Sequence, residues 1–173
     1  MKYANRHTDH EAIIMKRILL ICNHTLLLAC TSMYMGTGLS LVFFNFVIAD
    51  EMTVDNYYTH FVPQVDAATA FFTYMTIVMM ITAVIMIIAE WKTPYKWIPV
   101  IVLALVFLAT GLTLVFIFPY NEAMSAGITD PAELTETLSQ WMSLNRIRVS
   151  LWVVQWLCMA FYFAHKVYRS TKP

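Results

Sequence analysis

Four long apolar runs, at about residues 18–48, 67–89, 98–118 and 144–164, are separated by short polar stretches. Each is long enough for an α-helix to cross a ~30 Å hydrocarbon core, which takes about 20 residues. The pattern predicts four spanning helices in one domain over residues 1–173, packed up-and-down as an all-α integral membrane bundle. At 1.5 Å per residue the first run is on the order of 45 Å long, so it must tilt, kink or project from the bilayer. Within it, Ser32, Gly36 and Ser40 recur every four residues, a small-residue strip where another helix can approach closely.

The connections differ in character. Residues 49–66 hold Asp50, Glu51, Asp55 and Asp66 with no Lys or Arg, and read as an outer loop lying against the membrane surface. Glu90 to Trp97 is a short turn with a tryptophan near each end, as suits an interface. In residues 120–140, Asp130 can cap a helix that Pro131 begins, with Glu133 in its first turn. Leu134, Leu138 and Trp141 then share one face, which predicts an amphipathic outer helix leading into the fourth span. Residues 1–15 are polar; His7 and His10 have a spacing that places two imidazoles on one helix face, but the segment reads as a solvated terminus.

Composition confirms the class. The chain is 60% hydrophobic and 13% charged, about half the charge of a soluble domain, with a mean hydropathy of +0.63. Formal net charge is zero, which gives no footing for a nucleic-acid partner. Cys22, Cys30 and Cys158 all fall in apolar runs without a CxxC spacing, as packed thiols do. Lys16-Arg17 and the run ending Leu27-Leu28-Ala29-Cys30 have the outline of a lipoprotein signal. The chain stays apolar through Phe43, Phe44 and Ile48, so an uncleaved spanning helix is expected.

Charge distribution gives the topology. Of eleven Lys and Arg, four precede the first span, two sit in the middle turn and three close the chain. These nine share one side of a four-span arrangement. The positive-inside rule then places both termini in the cytoplasm of a cell whose plasma membrane holds the protein, as a bacterial inner membrane does.

The remaining two cations, Arg146 and Arg148, open the fourth span. Trp141, Asn145, Arg148, Trp152 and Gln155 recur at spacings of three and four, so they line one face. A charge there is costly in lipid and should point inward, whereas Arg146 is rotated roughly 200° away at 100° per residue. Asp66, at the start of the second span, is the expected partner for Arg148. On this reading the outer end gathers Asn45, Asp66, Asn121, Trp141 and Asn145 around Arg148, with His60 in the loop above. An amide, aromatic and cation cluster suits a small aromatic or lipid-like ligand bearing an oxygen. Arg148 would stabilise its anion and His60 would act as a base. The competing reading is that these groups satisfy one another and hold the helices in register. Thr69, Thr73 and Thr76 share a face of the second span, but threonines also bond back to their own helix.

No metal or cofactor is called for. The five histidines are spread over both sides, no Glu-x-x-His pair lies on a span, and there is no nucleotide loop or nucleophile elbow.

The order of features resembles the anthrone oxygenase-like family of small membrane proteins. The resemblance rests on Gly36 and Gly38 in the first span, Pro119-Tyr120-Asn121 closing the third, and the Trp-x-x-x-Asn-x-x-Arg pattern of Trp141, Asn145 and Arg148 opening the fourth. It implies a four-span fold and, from the family's better-known members, a cofactor-independent oxygenase of an activated aromatic, with Arg148, Asn145 and Asn121 on the substrate oxyanion. The polar N-terminus and the acidic, tyrosine-rich first loop depart from that pattern. The rival expectation is a non-catalytic accessory or structural subunit of a larger membrane complex, suited by twelve Met and 14% aromatics. An exporter comes third, because Asp66 and Glu90 both fall at span ends.

Overall fold

A computed structural model describes the backbone of residues 2–171 and the side chains of residues 10–171. The described residues are all helical apart from short turns, and four helical stretches are long and apolar enough to cross a membrane: His10–Ala49, Tyr57–Glu90, Pro94–Ala126 and Pro131–Ser170. The first span is α1 (Lys2–Ser40), a π-helical turn (Leu41–Asn45) and α2 (Phe46–Ala49). The second is α3 (Tyr57–Glu90). The third runs from α4 (Trp97–Leu112) through a second π-helical turn (Thr113–Ile117) into α5 (Phe118–Ala126). The fourth is α6 (Pro131–Ser170). Each span packs on its two neighbours in chain order, and α6 closes the ring against α1. This is the up-and-down bundle that the four apolar runs predict.

The helices outrun the apolar runs. The second begins at Tyr57 rather than Ala67, because the loop's aromatic residues have a core to enter. Tyr57, Phe61 and Val62 are buried, and the Tyr57 hydroxyl donates to the Met124 carbonyl at 3.3 Å and accepts from the Ile128 N–H. Pro63 is accommodated in the second turn of α3, where it removes one backbone bond. At the start of α6 the Asp130 carboxylate accepts from the Ala132 N–H at 3.0 Å, with Pro131 at the first position, as the sequence predicts. Gly127 ends α5 at φ 95°, a conformation that favours glycine.

Two apolar clusters result. One lies within the spans and includes Leu27, Met79, Met86, Val102 and Met159. The other, at the end with the turns of residues 50–56 and 127–130, joins Phe46, Tyr57, Phe61, Ile128, Leu134, Leu138 and Trp141. We call that end distal and the opposite one, with the Glu90–Trp97 turn, proximal. The close approach of α1 and α6 is at Gly38, where an added Cβ meets Trp152 at 2.8 Å. The strip expected to play this part is turned away: Gly36 has nothing within 4 Å, and Ser40 is exposed.

The proximal end is locked by Glu90, which is buried. Its carboxylate accepts from the Tyr162 hydroxyl at 2.6 Å, the Thr93 hydroxyl at 2.6 Å and the Lys166 ammonium at 2.9 Å. A residue that reads as a simple span end therefore ties the second span to the fourth.

Candidate functional site

In the distal half all four spans contribute to one cavity of about 910 Å³, within the size of small-ligand pockets. Its position in the bilayer follows from the proximal tryptophans. Trp91 and Trp97 are exposed, and the Lys96 ammonium lies 5.4 Å and 5.3 Å from their ring centres, as in an interfacial belt. Thr113 on the cavity wall is 16 residues (113 − 97) further along the same span, roughly 24 Å by helix rise. That is still inside a ~30 Å core, near its far side.

Arg148 is the charged group on the wall. One guanidinium nitrogen donates to Asn145 Oδ1, another to Thr113 Oγ1 at 3.3 Å, and its plane lies 4.8 Å from the Trp152 ring centre. Its Nε is buried without a partner. The expected ion pair with Asp66 is not formed. Asp66 is exposed and does not line the cavity, because it stands about 100° round α3 from the inward line Val65–Phe72–Met79. Among the described residues the ion pair is instead Lys166–Glu90, at the far end. Arg148 is thus a half-buried cation satisfied by an amide, a hydroxyl and a π face, with no carboxylate opposite it.

Both π-helical turns fall at this level. The first ends on Asn45, which lines the cavity, and the second begins with Thr113, which receives Arg148. Such turns cluster at functional sites because the extra residue re-aims side chains inward.

The structure brings Asn45, His60, Asn121, Trp141 and Arg148 onto the cavity wall. The Trp141 Nε1–H donates to Asn121 Oδ1 at 2.8 Å, and its ring packs edge-on against Phe61 and Phe46. Asn145 is fully buried behind the wall. Its amide donates to the Trp141 carbonyl at 2.8 Å while its oxygen accepts from Arg148, so it positions the guanidinium instead of meeting a ligand. His60 is exposed at the mouth. Arg146 is exposed, 5.3 Å from the Phe46 ring centre.

Further groups join the wall. Tyr34, Phe72 and Trp152 form an aromatic corner with ring centres 4.8 Å to 5.4 Å apart. The Tyr34 hydroxyl donates to the Phe72 carbonyl at 2.9 Å and bonds Thr76 Oγ1 at 2.7 Å. Thr69 and Thr73 also face in, so that stripe is a cavity wall as well as a self-bonded one. Gln155, already on the face of Trp141 and Arg148 in the sequence, is the deep end.

Among the described residues no three His, Cys, Asp or Glu side chains come together as a metal site would require. Of the His7–His10 pair, His10 is exposed and His7 lies outside the described side chains.

Fold and site together define a four-span helical membrane protein with a cation-lined cavity in its distal half. Comparison with known protein families, with curated proteins and with solved structures finds no match to this chain.

Proposed function

We propose that the cavity receives a small aromatic or lipid-like molecule and holds it by an anionic oxygen at Arg148. The supporting observation is the arginine's lack of a counter-ion. A charge inside the hydrocarbon core is costly unless it is paired, and Asn145, Thr113 and Trp152 orient it without neutralising it. An anionic ligand completes the site. The aromatic corner of Tyr34, Phe72 and Trp152 supplies a flat apolar bed beside the charge.

The resemblance stated above extends this reading to a cofactor-independent oxygenase. His60 at the mouth takes a proton from an activated ring methylene, Arg148 stabilises the resulting anion, the anion adds to dioxygen, and the peroxide regains the proton and loses water to leave a carbonyl. The Asn45 and Asn121 amides add donors. In this reading the protein resides in a bacterial plasma membrane with the proximal end cytoplasmic.

Purification in mild detergent followed by native mass spectrometry tests the proposal. An apolar, acidic small molecule should travel with the wild-type protein and be lost from Arg148→Gln. An empty wild-type monomer would overturn the ligand reading, as would a ligand that Arg148→Gln retains equally. A stoichiometric set of partner subunits with an empty cavity would instead support the accessory-subunit alternative.

A further inference from the structure

We infer that Gln155 is a second recognition point for the same ligand, so the molecule bound carries a hydroxyl or other hydrogen-bonding group at the end opposite its anionic oxygen. This rests on the cavity reading above and adds a polar group at the deep end.

Gln155 is 1% exposed, on the cavity wall, and its Oε1 has no hydrogen-bond partner. Buried amides in native proteins are bonded with few exceptions, and an orphan calls for a partner. Its surroundings offer none. The next position inward on its face is Met159, and Met79 and Val106 share the cavity lining with it, all buried and apolar. The hydroxyls on this wall are already engaged, Tyr34 and Thr76 with each other and the Phe72 carbonyl, and Thr110 with the Val106 carbonyl. The missing partner therefore comes from the cavity's contents.

Position supports the same conclusion. Gln155 is seven residues (155 − 148) beyond Arg148, roughly 10 Å deeper along α6. The depth reckoned from Trp97 puts it near the middle of the hydrocarbon core, where an unsatisfied amide is least tolerable. Arg148, with its orphan Nε, and Gln155, with its orphan Oε1, stand at the two ends of the cavity's deeper part. Between them lies the aromatic corner. The fitting class is an elongated aromatic with an acidic oxygen at one end, a hydroxyl at the other, and an apolar body between. A hydroxyl both donates and accepts, so it satisfies the amide whichever way the side chain is turned.

The test uses two acids differing by one hydroxyl, biphenyl-4-carboxylate and 4′-hydroxybiphenyl-4-carboxylate, whose polar ends in the latter are about 10 Å apart, matching the seven-residue rise. Each is titrated calorimetrically into the whole protein in nanodiscs. Wild type should bind the hydroxy acid about five- to tenfold more tightly, the worth of one hydrogen bond. Gln155→Leu and Gln155→Met should bind both acids alike, at the wild-type affinity for the acid lacking the hydroxyl. Arg148→Gln should weaken both. Equal binding of the two acids to wild type, as expected if Gln155 merely holds a water, overturns the assignment and leaves the anion site standing. So does a preference that persists in both Gln155 variants. Failure of wild type to bind either acid removes the cavity reading and this inference together.

Discussion

Arg148 and Arg146 are two residues apart yet sit in opposite surroundings. Arg148→Ala removes the partner of Asn145 Oδ1 and Thr113 and the cation over Trp152. It also relieves an uncompensated charge, so the net effect on stability should be small to moderate, about 1 kcal/mol or less either way. Ligand binding should fall at least tenfold, given ~1.5–3 kcal/mol for a hydrogen bond to a charged group. Arg146→Ala should change neither, as befits an exposed cation. In thermal scans and binding titrations, equal effects of the two substitutions would remove Arg148 from the site. A double-mutant cycle of Arg148 with Asp66 should be additive, whereas one with Asn145 should show coupling of ~0.5–3 kcal/mol. The sequence pattern identified the inward arginine, because its three-and-four spacing with Trp141 and Asn145 is a property of one helix. It could not identify the partner, because that depends on how α3 is rotated, and α3 is apolar on nearly every side. The same ambiguity placed Asn145 in the ligand site, although a shift of one helical face puts it behind.

Between helices, the register that matters is set by Gly38. Gly38→Ala drives a methyl against Trp152 at 2.8 Å and Val149 at 3.0 Å. Trp152 is itself wedged between Tyr34, Phe72 and the Arg148 guanidinium. The cost should be ~1–3 kcal/mol, as in other overpacked cores, and Gly36→Ala should be neutral or slightly stabilising by roughly 0.5–1 kcal/mol. Melting temperatures that fall equally for the two would contradict the packing. Two glycines in one apolar run look alike on paper, and only the angle of α6 chooses between them. The π-helical turns are equally silent in sequence, since Leu41–Asn45 and Thr113–Ile117 are apolar but for one Asn and one Thr, which ordinary spanning helices also carry. Glu90 was illegible for another reason. At the end of an apolar run it looks like a group bound for water, but Tyr162 and Lys166, 72 and 76 residues away, come back over it. Tyr162→Phe should lose ~1.5–3 kcal/mol, the worth of a bond to a charged acceptor. Lys166→Met should lose ~0–1 kcal/mol, because that side chain is 41% exposed. The reverse order in denaturation would mean that the ion pair, not the buried hydroxyl, holds this end.

The whole molecule is longer than the bilayer it crosses, and the excess lies at both ends. Spans of 40, 34, 33 and 40 residues rise roughly 50–60 Å against a ~30 Å core. At the distal end the Phe46–Tyr57–Leu134–Trp141 cluster, flanked by acidic Glu51, Asp55, Asp130, Glu133 and Glu136, forms a cap on the bundle. Apolar runs could not show that part, since its helices alternate apolar and acidic positions as soluble helices do. A cap of this kind, roofing a cavity whose mouth carries His60, has a direction. The four spans put the described parts of residues 2–17 and 165–171 on the same end as Lys92 and Lys96, so the basic residues gather there and the acids gather at the cap. By the positive-inside rule the cap should face away from the cytoplasm. In a chain with its own three cysteines replaced, a single cysteine at Thr129 should react with an impermeant maleimide in intact cells, and one at Lys92 should react only after the membrane is opened. The reverse pattern would invert the protein, place His60 and the cavity mouth on the cytoplasmic side, and require that any ligand be drawn from the cell interior. With the expected pattern, any ligand would instead enter from outside the membrane or from its outer leaflet, and an anionic oxygen held at Arg148 would stay within a few turns of that surface while the aromatic body reached toward Gln155.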